Sequence, residues 1–333
     1  MNRRDAITAV GAVALGGAHQ AFAQQPIICK FSHVVANDTP KGKGALKFKE
    51  LAEKYTGGKV KVEVYPNSTL YKDKEELDAL NSGSVQMLAP STAKFRPIGL
   101  KEFEALDLPF VFDGDAGYQK VMDGPIGQSL LKSLETKGIA GLGFWDNGFH
   151  MVSANKPLLM PADFQGLKIR ISGSKVADLY FRALGALPQI MAFSEVYQAL
   201  QTGVVDGCEN TPSNYYTQKF YEVQKDITNS QHAHLQYALI ANGKFWNGLP
   251  GPIRQQMDKA VKEATDYCNS IARQENVDAL KAIKASGKTT VHTLTPAQVT
   301  AWKAAFKPVY KEAESRVGKK IVDDLLKAAG ISV

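Results

Sequence analysis

The chain has 333 residues, 44% of them hydrophobic, 9% aromatic and 22% charged. That composition excludes a disordered polar chain and a collagenous repeat and leaves room for one large or two ordinary domains. Forty Lys and Arg against 33 Asp and Glu leave a formal charge of +7. The basic residues are scattered through amphipathic segments rather than run together, so a solvated basic surface with an anion-seeking cleft is expected, and no nucleic-acid partner. Three cysteines, Cys29, Cys208 and Cys268, are too few and too far apart for a disulfide scaffold or a zinc finger; they are buried free thiols or hold one disulfide.

Residues 1–23 read as an export signal, with Arg3 and Arg4 as the charged region, a small-residue apolar stretch from Ala6 to Ala18, and Ala21-Phe22-Ala23 as the cleavage site. The apolar stretch is shorter than the roughly 20 residues that span a bilayer. The twin Arg leaves the export route open. A periplasmic protein is expected, with cleavage after Ala23.

A short strand at 27–32 is followed by Thr39-Pro40 and a helix to about Tyr55, with Leu46, Leu51 and Ala52 on its apolar face. The segment 59–65 alternates Lys59, Lys61 and Glu63 with Val60, Val62 and Val64, a half-buried strand. A helix over 72–81 and a buried strand at 85–89 complete a β-α-β-α-β order, which indicates an open α/β sheet. The second half repeats the theme: a strand at 167–172, helices at 174–184 and 194–201, and a strand at 204–209. At an offset of 120 residues, Glu75, Ala79, Leu80, Gly83 and Val85 recur as Glu195, Ala199, Leu200, Gly203 and Val205. Each copy is a short helix closed by Gly and delivering into a strand, so two similar lobes are expected. From 249 to 286 the chain reads as one helix, long enough to brace both lobes, and a last helical region runs over 295–329.

Two α/β lobes joined by crossing segments enclose a cleft, with ligands at the carboxyl ends of strands. Arg170 lies near the end of the strand GLKIRIS, sharing a face with Lys168 and Ser172. Its planar fork suits a carboxylate; the alternatives are an internal salt bridge or an edge-strand surface position. Asn210 follows the strand VVDGCE, either as an amide donor to a ligand or as an Asx turn into Thr211-Pro212. Phe193 is a helix staple or a ligand wall, and His150 is a structural histidine or an anion contact near the crossing. Lys43, Ser91, Thr92 and Lys94 are the first-lobe candidates, and Asn214 joins them from the second. No nucleophile elbow, metalloprotease helix, phosphate loop or paired-cysteine motif is present, GLGFWD at 141–146 lacks the third Gly of a dinucleotide fingerprint, and His232 and His234 lack supporting ligands. Neither catalysis, a metal nor a cofactor is expected.

The stretches 32–45 (SHVVANDTPKGKGA), 59–73, 106–112 (LDLPFVF), 143–150 (GFWDNGFH), 166–174 and 183–216, with YEVQK at 221–225 and FWNGLP at 245–250, resemble the substrate-binding proteins of TRAP transporters, of the DctP type associated with C4-dicarboxylates. The resemblance covers nearly all of the chain beyond the signal. It implies a two-lobed α/β periplasmic binding protein fold (a Venus flytrap) with a long bracing helix, closing around a small organic carboxylate and presenting it to membrane permease subunits. It places the family's Arg on Arg170, its amide on Asn210, its aromatic wall on Phe193 and a second cationic ligand residue on His150. Sialic-acid-binding relatives carry Arg at that last position, which argues against those substrates. Their first-lobe acidic position falls on Ser91 and the following basic one on Lys94, which suits a smaller, more anionic ligand. The expected arrangement has Arg170 and Asn210 at one carboxylate, and Lys43, Lys94, Ser91 and Thr92 at the other with His150 assisting. The lobes are expected at 24–147 plus 236–275 and at 148–235 plus 276–333, in a monomer.

Overall fold

The structure, a computed structural model, describes residues 25–331; the expected export signal lies outside the described residues. In chain order the strands are β1 (Ile27–Ser32), β2 (Val60–Tyr65), β3 (Met87–Leu88), β4 (Ile139–Phe149), β5 (Met151–Ala154), β6 (Lys168–Ile171), β7 (Leu187–Ile190), β8 (Gly207–Asn210), β9 (Asp226–Asn229), β10 (His234–Asn242) and β11 (Thr290–Thr293). They form two mixed sheets, ordered β2-β1-β3-β10-β4 and β11-β9-β5-β8-β6-β7. In the first, β1 is parallel to β2 and β3, and β10 lies antiparallel to β3 and β4. In the second, β6 is parallel to β7 and β8, and β5 lies antiparallel to β8 and β9. Strand for strand, β2-β1-β3-β10-β4 and β7-β6-β8-β5-β9 are the same arrangement.

The internal repeat has a matching backbone. Helices Glu76–Asn81 and Val196–Thr202 both run out into left-handed glycines, Gly83 at φ 79° and Gly203 at φ 72°. In each copy the amide of the valine two residues on bonds back at 3.3 Å, Val85 to the Ala79 carbonyl and Val205 to the Ala199 carbonyl. A positive φ costs glycine nothing, which is why the turn keeps it in both copies.

Helix Pro40–Tyr55 starts on Thr39, whose hydroxyl accepts from the Gly42 amide at 3.1 Å, with Pro40 opening the first turn. Its buried face is Ala45, Phe48, Leu51 and Ala52, whereas Leu46 is 41% exposed, so the expected stripe was displaced at its start. Helix Gly251–Ala285 has 35 residues, about 52 Å at 1.5 Å per residue. Its first part buries Met257, Val261 and Cys268 in the core of the first sheet, and Ile283 near its end enters the core of the second. It also sews up the edge of the first sheet. Asn269 accepts from the Asp146 amide at 2.8 Å and donates to the Phe144 carbonyl, while Asn276 donates to the Asn147 carbonyl and accepts from the Ser213 amide. Side chains of the helix thus satisfy backbone groups that an edge strand would leave open.

The chain passes between the sheets at His150, from β4 into β5, and again at residues 230–233, from β9 into β10. The two crossings are hydrogen-bonded to each other, His150 amide to Ala233 carbonyl and Gln231 amide to His150 carbonyl, both at 2.9 Å. Several boundaries differ from expectation. The strand expected at 85–89 is two residues long, that at 204–209 begins at Gly207, the helix expected from 72 begins at Glu76, and the helix expected at 194–201 opens with a short 3-10 turn, Phe193–Glu195. The last helical region is two helices, Pro296–Val317 and Lys319–Ala329, broken at Gly318 (φ 116°). All three cysteines are free and buried. No helix among the described residues is long and apolar enough to cross a membrane.

Candidate functional site

Between the two sheets lies a cavity of about 50 Å³. The first sheet and its helices contribute Lys41, Asp73, Glu76, Ser91, Lys94 and Tyr237; the second contributes Arg170, Ser172, Phe193, Asn210 and Asn214. The volume is several times the ~10–15 Å³ that one water needs, a space for a small molecule.

Arg170 sits on β6, which has β7 on one side and β8 on the other, so it is not an edge residue. It is 3% exposed and makes no ion pair among the described residues. Its Nε and Nη2 both donate to the Met191 carbonyl, at 3.2 and 2.8 Å, and its Cζ lies 5.8 Å from the Phe193 ring centre. Burial pushes the guanidinium below its ordinary value, with the charge of Asp73 opposing. A cation this deep needs an anion. Asn210, at the end of β8, uses its Oδ1 to accept from the Thr211 amide at 2.9 Å and from Asn214 Nδ2 at 2.7 Å. The amide is thereby oriented with its NH2 as the group left for another acceptor. Asn214 Nδ2 also reaches the Tyr237 hydroxyl across the cleft at 3.4 Å.

On the first-sheet side, Lys41 is 1% exposed; its Nζ donates to the Ala89 carbonyl at 3.0 Å and stands 3.7 Å from the Tyr237 ring centre. Burial pushes this lysine down to about 8, while Glu76 and Asp73 hold it up. Lys94 pairs with Asp73 Oδ2 at 2.8 Å and donates to the Ser172 carbonyl of the second sheet at 2.5 Å. Its charge is therefore shared between Asp73 and the lobe-to-lobe contact.

Three of the expected ligand residues do not line the cavity. Lys43 points the other way and pairs with Glu275 of the long helix at 2.6 Å. Lys41 takes the inward place, because positions two apart on a helix lie about 200° around its axis. Thr92 is buried and accepts from Gln236 Nε2 at 2.8 Å. His150 lies at the crossing, its Nδ1 3.1 Å from Glu209 Oε2. That same oxygen meets His232 Nε2 at 3.1 Å and the Tyr180 hydroxyl at 2.5 Å, and Ser230 stands behind His232 at 2.7 Å. The potential ligand atoms of His150, Glu209 and His232 all lie within 4.8 Å of one another. The donors converge on a carboxylate oxygen, so this is a hydrogen-bond hub tying both crossings to β8. Burial would raise the Glu209 carboxyl, but the two histidines outweigh it and hold it well below the ordinary range.

Sequence reasoning missed Lys41, Asp73, Glu76 and Tyr237. For Lys41 a signal existed: it stands four and seven residues before Ala45 and Phe48, on the buried face of its helix.

The match to "Bacterial extracellular solute-binding protein, family 7" (DctP) runs over residues 31–316. The chain belongs to this family. It is 57% identical over 323 residues to the C4-dicarboxylate-binding periplasmic protein DctP of Rhodobacter capsulatus, with 97% of each chain covered. Its fold is that of a TRAP periplasmic solute-binding protein from Shewanella oneidensis solved with bound succinate, at TM-score 0.89 and 42% identity, covering 92% of this chain and all of the other. A TRAP solute-binding protein from Pseudomonas aeruginosa with bound L-malate superposes at TM-score 0.84 and 42% identity, covering 86% of this chain and 100% of the other. The two-lobed fold expected from the resemblance is thus the one found. Family members are solute receptors that take small carboxylates and work with membrane permease components.

Proposed function

We propose that the protein is the periplasmic receptor of a TRAP transporter, capturing a C4-dicarboxylate such as succinate, malate or fumarate between its lobes and handing it to the membrane permease as a monomer, without chemical conversion. The observation that carries this reading is Arg170, a buried guanidinium at the cavity with no carboxylate partner among the described residues. A carboxylate from outside supplies the missing charge, and Asn210 donates beside it. Lys41 meets the second carboxylate from the other lobe. The small cavity and the relatives that bind succinate and malate support a four-carbon diacid over a sugar acid. In this reading the ligand bridges the lobes and makes the closed state the favoured one.

The test is a thermal-shift panel of di- and monocarboxylates on the mature protein. A ligand at 100 times its dissociation constant adds about 2.7 kcal/mol to the folded state, so a C4-dicarboxylate is expected to raise the melting temperature clearly. If another acid does so and no C4-dicarboxylate does, the specificity is wrong.

A further inference from the structure

A receptor for a dianion should keep negative charge out of its cavity, yet two carboxyl groups line this one. Asp73 is accounted for in part by Lys94 at 2.8 Å. Glu76 is not. It is 2% exposed, it makes no ion pair among the described residues, and its Oε1 is buried without a hydrogen-bond partner. Lys41, the cation that acts on it most strongly, makes no direct bond to it and instead donates to the Ala89 carbonyl and lies over the Tyr237 ring. An ionised carboxylate without a partner in such a place is strongly disfavoured and takes up a proton instead.

We propose that Glu76 stands in the cavity as a neutral carboxylic acid and donates its proton as a hydrogen bond to the bound diacid, so that ligand affinity is coupled to that proton. This rests on the reading of the site as a dicarboxylate receptor. A neutral acid removes the repulsion and adds a donor at the end of the ligand served by Lys41. The groups facing Glu76 are Lys41 from helix Pro40–Tyr55, Asp73 from the preceding turn and Lys94 from the segment after β3. Burial pushes the Glu76 carboxyl up to about 8, with Lys41 opposing and Asp73 adding to the rise. The sign follows: the acid form is present below about 8 and is lost as pH rises through that value. Lys41, pushed down to about 8, loses its charge over the same range, so a pH profile alone does not separate the two.

Substitution separates them. Calorimetric titration of succinate at neutral pH is expected to give Glu76→Gln an affinity within a few-fold of wild type, since the amide is neutral and donates in the same direction. Glu76→Ala, which lacks the donor, should bind about tenfold more weakly. An affinity gain of about tenfold or more in Glu76→Gln would mean that the wild-type group is ionised and repels the ligand, and a comparable loss would mean that the amide does not replace the acid; either overturns the proposal. A readout without ligand is the infrared difference between wild type and Glu76→Gln. A protonated-carboxyl carbonyl band at neutral pH that bleaches as pH rises past 8 is expected, and a carboxylate band in its place overturns the proposal. If the protonated band is present but no C4-dicarboxylate binds either protein, the receptor reading fails and the donor role falls with it.

Discussion

At the scale of single residues, the cavity is an exercise in where each cation spends its charge. Arg170 has its Nε and Nη2 engaged on one carbonyl, which holds the guanidinium plane in place for an incoming carboxylate. Truncating one member of a buried charge pair costs about 2–5 kcal/mol, so Arg170→Ala should weaken diacid binding by at least about tenfold in a calorimetric titration, and near wild-type affinity would contradict the assignment. Lys41 and Lys43 form an internal control. Lys41→Ala removes a buried cation from the cavity, whereas Lys43→Ala breaks only a partly exposed pair with Glu275, of a kind worth roughly 0–1 kcal/mol. Titration should therefore find a large loss of affinity in the first and a change of no more than a few-fold in the second.

At the scale of elements, what could be read from sequence followed the strength of the period. β2 alternates and was legible; the repeat helices were legible because the same Gly closes both. β4 was not, since its three glycines and the run IAGLGFWDNGF obey neither a helical nor a strand period. β10 is buried along nearly all its length, its polar His234, Gln236 and Asn242 included, so it does not show the polar-out alternation of a half-buried strand. In the site, Arg170 and Asn210 were visible because they close strands, while Asp73 and Glu76 sit in a turn and a first helical turn whose inward direction only the packing decides. The long helix shows the same dependence on context. Gly148, at φ 86°, has Asn276 Nδ2 2.8 Å from where a Cβ would stand. Gly148→Ala combines a strained backbone with that clash and should cost about 1–3 kcal/mol, read as a lower urea midpoint. An unchanged midpoint would show that the helix yields at no cost.

For the whole molecule, closure and acid stability follow from contacts between distant parts. Lys72 and Glu195, 123 residues apart in the chain, pair at 3.1 Å with both side chains about half exposed. Such a pair is screened, so Lys72→Ala should shift diacid affinity by less than about fivefold, and a larger loss would make this pair the latch. One buried histidine makes folding sensitive to acid. His33 is buried with both ring nitrogens unpartnered, and burial, with the charge of Lys41, pushes it down to about 3. The unfolded chain takes this proton near its ordinary 6.5 while the folded one refuses it. The contribution is thus present above 6.5 and lost as pH falls, on the order of 2 kcal/mol by pH 5. His232, lowered by burial, acts in the same direction. The Glu76 and Asp107 carboxyls, pushed up to about 8 by burial, take up protons on folding over the same range and oppose this loss, so the histidine is read by difference: from about pH 7 to pH 5 the melting temperature of His33→Gln should gain on that of wild type, and a constant gap would refute the account.

The two sheets share one strand plan, yet the cavity they enclose is not the same from both sides: Arg170 and Asn210 wait at one end, Lys41 at the other. A diacid with identical ends can enter in either of two orientations and meet the same contacts, a statistical advantage of RT ln 2, about 0.4 kcal/mol. A diacid bearing a hydroxyl beside one carboxylate must enter the right way round. Its affinity has to make good that factor of two through whatever its hydroxyl finds to bond with, so the unequal ends of the cleft set a small handicap before any specific contact is counted.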